Sequence, residues 1–142
     1  MDAGFYVPVR IVGGEDCVKK GAQHFGQQAL IVCGKSAASN GALDDVKEVL
    51  SVNGQRGIVY DAIPQNPTVA SVMEGARIAR ENRVNFIIAI GGGSPMDAAK
   101  AIAMLACQDI PEGLFAHKIG NAVLPMIHIP TTAGTGSEVT PY

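Results

Sequence analysis

Ile87-Ile88-Ala89-Ile90-Gly91-Gly92-Gly93-Ser94-Pro95-Met96-Asp97-Ala98-Ala99-Lys100 decides the fold. An apolar run ends in three glycines, a Ser-Pro pair follows, and a helical pattern begins. The order reads as a buried strand, a tight turn and a helix start. Glycine has no Cβ, so backbone N–H groups can approach a ligand closely. The first N–H groups of a helix lack intrahelical partners and carry a partial positive charge. Together these features make a site for phosphate. The same residues also describe a plain helix start, with Ser94 at the N-cap, Pro95 at N1 and Asp97 at N3. Both can hold at once, but three consecutive glycines exceed what a cap needs.

Outward from this stretch the same alternation repeats. Ala29–Cys33 and Gly57–Tyr60 are short apolar runs, read as inner strands, and Met126–Ile129 is another, stopped by Pro130. Continuous apolar strands suit a sheet covered on both faces. Phe5–Val12 reads as a first strand, with Pro8 marking an edge position. Between the strands the period is helical. Glu15–Phe25 places Val18, Gly21, Ala22 and Phe25 on one face, with Glu15 and Asp16 at the start. Ala42–Ser51 is lined by Leu43, Val46, Val49 and Leu50, with Asp44 and Asp45 in its first turn. A third helix starts at Pro67, capped by Asn66, and continues to about Asn82. The helix from Pro95 to about Ala106 is nearly apolar all round and should be buried on most sides. Gln108–Pro125 shows no clear period and reads as loop with at most one short helix. The expectation is an α/β chain: a mostly parallel twisted sheet with helices on both faces, Rossmann-like, over 1–142.

Composition narrows the function. The chain has 142 residues, 47% of them hydrophobic and 17% charged, enough for a packed core and too apolar for a disordered chain. Net charge is −2 with no basic run, so nucleic acid is not an expected partner. No apolar run approaches a bilayer span and no basic-then-apolar leader is present, so no membrane partner is expected and a cytoplasmic location is. Cys17, Cys33 and Cys107 are far apart and without a Cys-x-x-Cys pair, which suggests buried free thiols. His24, His117 and His128 show no ligand spacing, and His128 reads as a packed core residue. A metal site built by this chain alone is therefore not expected.

In parallel sheets ligands bind at the carboxyl ends of strands. Four polar or glycine-bearing loops follow strands: Gly34-Lys35-Ser36, the loop holding Asn66, Gly91 to Ser94, and Thr131 to Ser137. Each has a bland reading. Lys35 is a solvated charge, or a phosphate partner beside Gly34 and Ser36. Asn66 is a cap, or touches a ligand. Asp97 pairs with Lys100 at i,i+3, or holds hydroxyls. Thr131, Thr132, Thr135 and Ser137 belong to a flexible loop, or form a wall of hydroxyl donors. Neither G-x-G-x-x-G after the first strand nor a P-loop is present.

Two stretches, Gly91–Lys100 and Ile129–Thr140, resemble the paired signatures of iron-containing (group III) alcohol dehydrogenases, and Asn66-Pro67-Thr68 fits the same pattern. The resemblance implies an N-terminal α/β domain that binds NAD or NADP. It also implies a helical C-terminal domain whose Asp and three His hold iron or another divalent metal. Hydride would pass between nicotinamide and a small alcohol or aldehyde. By match, Gly92, Gly93 and Ser94 would hold the pyrophosphate, Thr131, Thr132, Thr135 and Ser137 would line the cleft, and Asn66 would contact the dinucleotide. NAD-preferring members resemble this chain but carry Asp where Gly34 stands. Gly34-Lys35-Ser36 therefore implies NADP over NAD. The metal ligands of the family lie beyond the matched stretches, so the expectation is an N-terminal portion that is inactive alone and self-associates through an exposed face. Two rivals are a cyclase of the dehydroquinate synthase type and a non-catalytic nucleotide-binding or self-assembling module.

Overall fold

The computed structural model describes residues 8–21, 25–108 and 120–140. Among them lie α1 (Cys17–Gly21), β1 (Gln28–Cys33), α2 (Ser36–Ser39), α3 (Ala42–Val52), β2 (Arg56–Tyr60), α4 (Val69–Glu81), β3 (Phe86–Gly91), α5 (Gly93–Ala106) and β4 (Met126–Pro130). The strands form one sheet in the order β2-β1-β3-β4, parallel at every pairing. Leu30 pairs with both Ile58 and Ile87, and Ile88 pairs with Ile127.

Alternation along the strands divides the core. Leu30, Val32, Ile87 and Ala89 turn to one face, where α4 and α5 pack through Val72, Ala76, Ala79, Met96, Ala99 and Ile102. Ala29, Ile31, Cys33, Ile88 and Ile90 turn to the other face, against Ala37 of α2 and Leu43, Val46 and Leu50 of α3, with Val18 of α1 at the margin. Helices thus cover both faces, as the continuous apolar strands require. α5 is buried through Met96, Ala98, Ala99, Ile102, Ala103 and Leu105, matching its nearly all-apolar sequence. α3 begins after Gly41, whose φ of 83° lies in the left-handed region, and carries Asp44 and Asp45 in its first turn.

Several expectations fail for identifiable reasons. Residues 5–7 of the expected first strand lie outside the described residues, and Pro8–Val12 forms no strand. Pro8 has no N–H for a ladder, and Ile11 is 79% exposed, so this stretch turns no face to the core. α1 starts at Cys17, not Glu15. Asp16 stands before the helix with φ 58°, its carboxylate 3.1 Å from Lys19 Nζ. Ala22 lies outside the described residues, while Phe25 stacks on Phe86 with ring centroids 6.3 Å apart. β2 is an edge strand of the described sheet, not an inner one, and its first residues, Arg56 and Gly57, are exposed. Of the cysteines only Cys33 is buried; Cys17 is half-buried and Cys107, at the C-cap of α5, is exposed.

The N-cap of the third expected helix also moves. Thr68 accepts from the Ser71 N–H and its own N–H donates to Ser71 Oγ, each at 3.1 Å, closing a capping box that starts α4 at Val69. Asn66 and Pro67 remain outside the helix and exposed. Residues 109–119 of the expected loop lie outside the described residues.

Close approach of α4 to α5 requires Gly75. A Cβ there would overlap Ile102 and lie 3.0 Å from Tyr60 Cε1. Better helix propensity than glycine recovers only about 1 kcal/mol, whereas overpacking a filled core costs about 1–3 kcal/mol. Gly75→Leu should therefore lower stability by about 2 kcal/mol, read as a drop in urea midpoint at unchanged slope.

Candidate functional site

All strands being parallel, their carboxyl ends meet at one edge of the sheet. β1 ends at Cys33, β2 at Tyr60, β3 at Gly91 and β4 at Pro130. The chain leaves β1 for β2 on one side, then crosses back through α4 to place β3 on β1's other side. Connections therefore reverse between β1 and β3, and a crevice opens at such a switch point. The loops beside it are Gly34-Lys35-Ser36 and Gly91 to Ser94. The Gly34 N–H donates to Ile90 O at 3.4 Å, holding them together.

The β3–α5 turn is tighter than a serine cap would make it. Gly91 has φ 140°, and a Cβ there would lie 2.7 Å from Pro95 Cγ. Gly92 is the N-cap, without a side-chain hydrogen bond, and the helix begins at Gly93. Ser94 is thus not the N-cap, and Pro95 and Asp97 are each displaced from their expected positions. The Ser94 hydroxyl instead donates to Gln65 O, tying this turn to the loop that carries Asn66. N–H groups of Gly93 and Ser94 remain in the first turn, where no intrahelical acceptor serves them.

The Thr/Gly loop lies opposite. The Thr131 N–H donates to Gly91 O at 2.9 Å, extending the β3–β4 pairing into the loop. A Cβ on Gly92 would stand 3.1 Å from Thr132 Oγ1, and one on Gly93 would stand 3.3 Å from Ser137 Oγ. The two glycines therefore let the Thr/Gly loop approach the backbone of the turn, where a Cβ would crowd Thr132 and Ser137. Thr131, Thr132 and Thr135 are exposed and Ser137 is buried. Ser137 N–H donates to Thr135 Oγ1 at 3.4 Å.

Asp97 and Lys100 pair at 3.0 Å, the i,i+3 contact of the bland reading, and Lys100 Nζ also donates to Thr140 Oγ1 at 3.0 Å. The lysine side chain is 10% exposed and the aspartate 50%. Lys100 thereby ties the end of the Thr/Gly loop to α5. Beside it, Glu138 Oε2 and His128 Nδ1 are buried with no hydrogen-bond partner among the described residues. His128 lies half-buried on β4, so it is less enclosed than a core residue. Burial first, then the Lys100 cation, push its pKa below the ordinary value, while Glu138 and Asp97 pull the other way.

On the far side of the crevice, Lys35, Asp61, Ala62, Ile63 and Pro64 line an open groove of about 480 Å³. Lys35 stands just before α2, exposed, and Ser36 begins that helix. A Cβ on Gly34 would meet only Ser36 Oγ, at 4.0 Å. The geometry thus brings Gly34, Lys35, Ser36, Gly92, Gly93, Ser94, Thr131, Thr132, Thr135 and Ser137 to one sheet edge, with Asn66 joined through the Gln65–Ser94 contact. Gln65, Thr140 and Asp61 were not singled out by sequence. Only the position of Asp61, directly after a strand, could have pointed to it.

A family model described as iron-containing alcohol dehydrogenase matches residues 8–142. The chain belongs to this family. Among its relatives, alcohol dehydrogenase 4 of Saccharomyces cerevisiae is 34% identical over 145 residues, covering 98% of this chain and 38% of the relative. A crystal structure of an iron-containing alcohol dehydrogenase from Thermotoga maritima is 40% identical with TM-score 0.85, covering 97% and 40%. Sulfoacetaldehyde reductase from Bifidobacterium kashiwanohense, solved with NAD+, is 29% identical with TM-score 0.81, covering 99% and 39%. The chain spans about two fifths of the length of these proteins. The match decides against the cyclase reading. Iron-containing alcohol dehydrogenases are oxidoreductases of alcohols and aldehydes that use NAD or NADP and a divalent metal. The unpaired backbone N–H groups at the start of α5 have the chemistry that phosphates of such a dinucleotide require. No group of three or more His, Cys, Asp or Glu that could hold a metal occurs among the described residues. No helix among them is long and apolar enough to cross a membrane.

Two outcomes follow from this geometry. Gly91→Ala combines a disfavoured φ with a rigid proline contact, so it should destabilise the fold by about 1–3 kcal/mol in chemical denaturation. For His128 the folded pKa lies below the unfolded one, so the unfolded chain binds more protons between the two values. Stability should therefore fall as pH drops below about 6.5, down to the lowered folded pKa. His128→Asn should flatten the melting temperature against pH across that window.

Proposed function

We propose that this chain is the dinucleotide-holding part of a cytoplasmic, metal-dependent alcohol dehydrogenase that prefers NADP and moves hydride between nicotinamide and a small alcohol or aldehyde. The observation that carries the reading is the meeting of the Gly91–Ser94 turn and the Thr131–Ser137 loop at the switch point, where Gly92 and Gly93 let the loop's hydroxyls come close to the backbone of the turn. Backbone N–H groups of Gly93 and Ser94, at the positive end of α5, hold the pyrophosphate. Thr131, Thr132, Thr135 and Ser137 supply hydroxyls along the cleft. Asn66 contacts the dinucleotide from a loop that Ser94 braces. Asp97, half exposed and paired with Lys100, accepts from ribose hydroxyls. The bound dinucleotide supplies the hydride chemistry, and the residues of this chain bind and orient it.

Cofactor choice rests on Gly34, Lys35 and Ser36. No carboxylate stands at the end of β1 to accept from ribose hydroxyls or to repel a 2′-phosphate, while a cation and a hydroxyl stand next to it. Alone, the chain should bind cofactor without turning over alcohol, because the family's metal ligands lie outside the matched signatures. β4 is an edge strand of the described sheet, and its half-buried Ile127 and Ile129 support self-association. A concentration-independent monomer in sedimentation would overturn that part.

Calorimetric titration with NADPH and NADH tests the reading. NADPH should bind more tightly; tighter NADH binding refutes the preference, and no binding of either refutes the function. The open space at Gly34 lets Gly34→Asp fold without strain. That variant should lose about tenfold in NADPH affinity, near 1.4 kcal/mol, and keep or improve NADH binding.

A further inference from the structure

The groove beyond the crevice carries two opposite charges. Lys35 lies on the wall built from the end of β1, and Asp61 on the wall built from the end of β2. The register that pairs Val32 with Tyr60 brings Asp61 alongside the Cys33–Gly34 end of β1. Its charge reaches that end: after burial, the Asp61 carboxylate is the next cause holding the Cys33 thiol above its ordinary pKa. Ala62, Ile63 and Pro64 complete the groove and bring no charge. No ion pair joins Lys35 to Asp61 among the described residues, so neither charge is cancelled by direct contact. Lys35 and Asp61 are both exposed, and a ligand entering the groove meets both.

We infer that Asp61 is a second cofactor-specificity determinant, a carboxylate that opposes Lys35 across the groove and limits the preference for a 2′-phosphate. This rests on the dinucleotide reading above. A 2′-phosphate drawn to Lys35 at the β1 end lies across from the negative charge of Asp61, just past the end of β2. A ribose 2′-hydroxyl suffers no such repulsion. The groove therefore discriminates less than Gly34-Lys35-Ser36 alone would set. The size of the effect follows from Coulomb's law. A carboxylate about 7 Å from a dianionic phosphate in a water-like medium weakens binding roughly fivefold at 0.01 M salt. Screening reduces this to about twofold at 0.15 M.

The test is calorimetric titration of the chain and its Asp61→Asn and Asp61→Glu variants with NADPH, NADH, 2′,5′-ADP and 5′-AMP, at both salt concentrations. Asp61→Asn removes charge with little change of shape at an exposed position. It should tighten NADPH and 2′,5′-ADP about fivefold at low salt and about twofold at high salt, and change NADH and 5′-AMP less than twofold. Asp61→Glu keeps the charge and should keep the wild-type NADPH to NADH ratio. A purely structural role would move all four ligands together and without salt dependence. An unchanged ratio in Asp61→Asn, with wild-type binding intact, overturns the role of Asp61 alone. Absence of dinucleotide binding by the wild-type chain overturns both this inference and the reading beneath it.

Discussion

The structure depends on the pairing of β1 with β3. Both strands are buried on both faces, from Ala29 to Cys33 and from Phe86 to Gly91. Backbone N–H and C=O groups in such a place must pair with one another, because no water reaches them. Side chains on both faces must in turn be covered. Helices on each side meet that need, and the crossovers that carry them make the strands parallel. Parallel strands bring every carboxyl end to one edge, so packing of the core also gathers the site's loops. The fit is close enough that glycine is required where elements press together. At Gly57 a Cβ would lie 2.8 Å from both Ile31 Cδ1 and Leu50 Cδ1.

That dependence explains what was legible. β1, β3, α3 and α5 follow from apolar pattern alone, since each is defined by what it buries. So do the existence of the four loops and their common edge. Edge status of β2 was not legible, because Gly57–Tyr60 is as apolar as an inner strand and pairing order is a tertiary property. Phe5–Val12 has strand-like residues, yet Pro8–Val12 has no partner in the described sheet to give them a ladder. Helix starts were misplaced for a different reason. Asn66-Pro67 is a good cap by composition, but Thr68 and Ser71 satisfy each other's backbone N–H groups, and two reciprocal bonds outweigh one side-chain preference. At Ser94 the expected cap was displaced because Gly92 already supplies an extended N-cap backbone, leaving the serine hydroxyl to bond Gln65 O.

Charge at the site is organised in two ways. Beneath the Thr/Gly loop, Lys100 is largely buried and joined to Asp97 and Thr140. A buried ammonium without partners is costly, so its partners are fixed where it can reach them. The result is a polar tether between α5 and the loop's far end, while Thr131 bonds the near end to Gly91. The loop is thus held at both ends and exposed in between. Its glycines, with φ of 116° at Gly134 and 67° at Gly136, allow the chain to turn back toward α5. The other charges, Lys35 and Asp61, stand at the open end of the sheet edge and carry no such structural duty.

The contrast has a consequence for how such a site changes. In the proposed reading, phosphate recognition through Gly92, Gly93 and the first turn of α5 uses backbone groups whose positions are set by β3 and by packing of α5. Altering it disturbs the core. The proposed recognition at the β1 and β2 ends uses exposed side chains in an open groove, where Gly34 has room for a larger residue and Asp61 faces solvent. Substitution there costs little stability, because surface changes away from caps and tight turns are usually small. On the proposed function, the sheet would therefore separate a rigid means of holding a dinucleotide from an adjustable means of choosing between two of them. Glycines mark the first part plainly in sequence. The second part is a pair of charges just past the ends of neighbouring strands, twenty-six positions apart, and only the register of β1 with β2 brings them together.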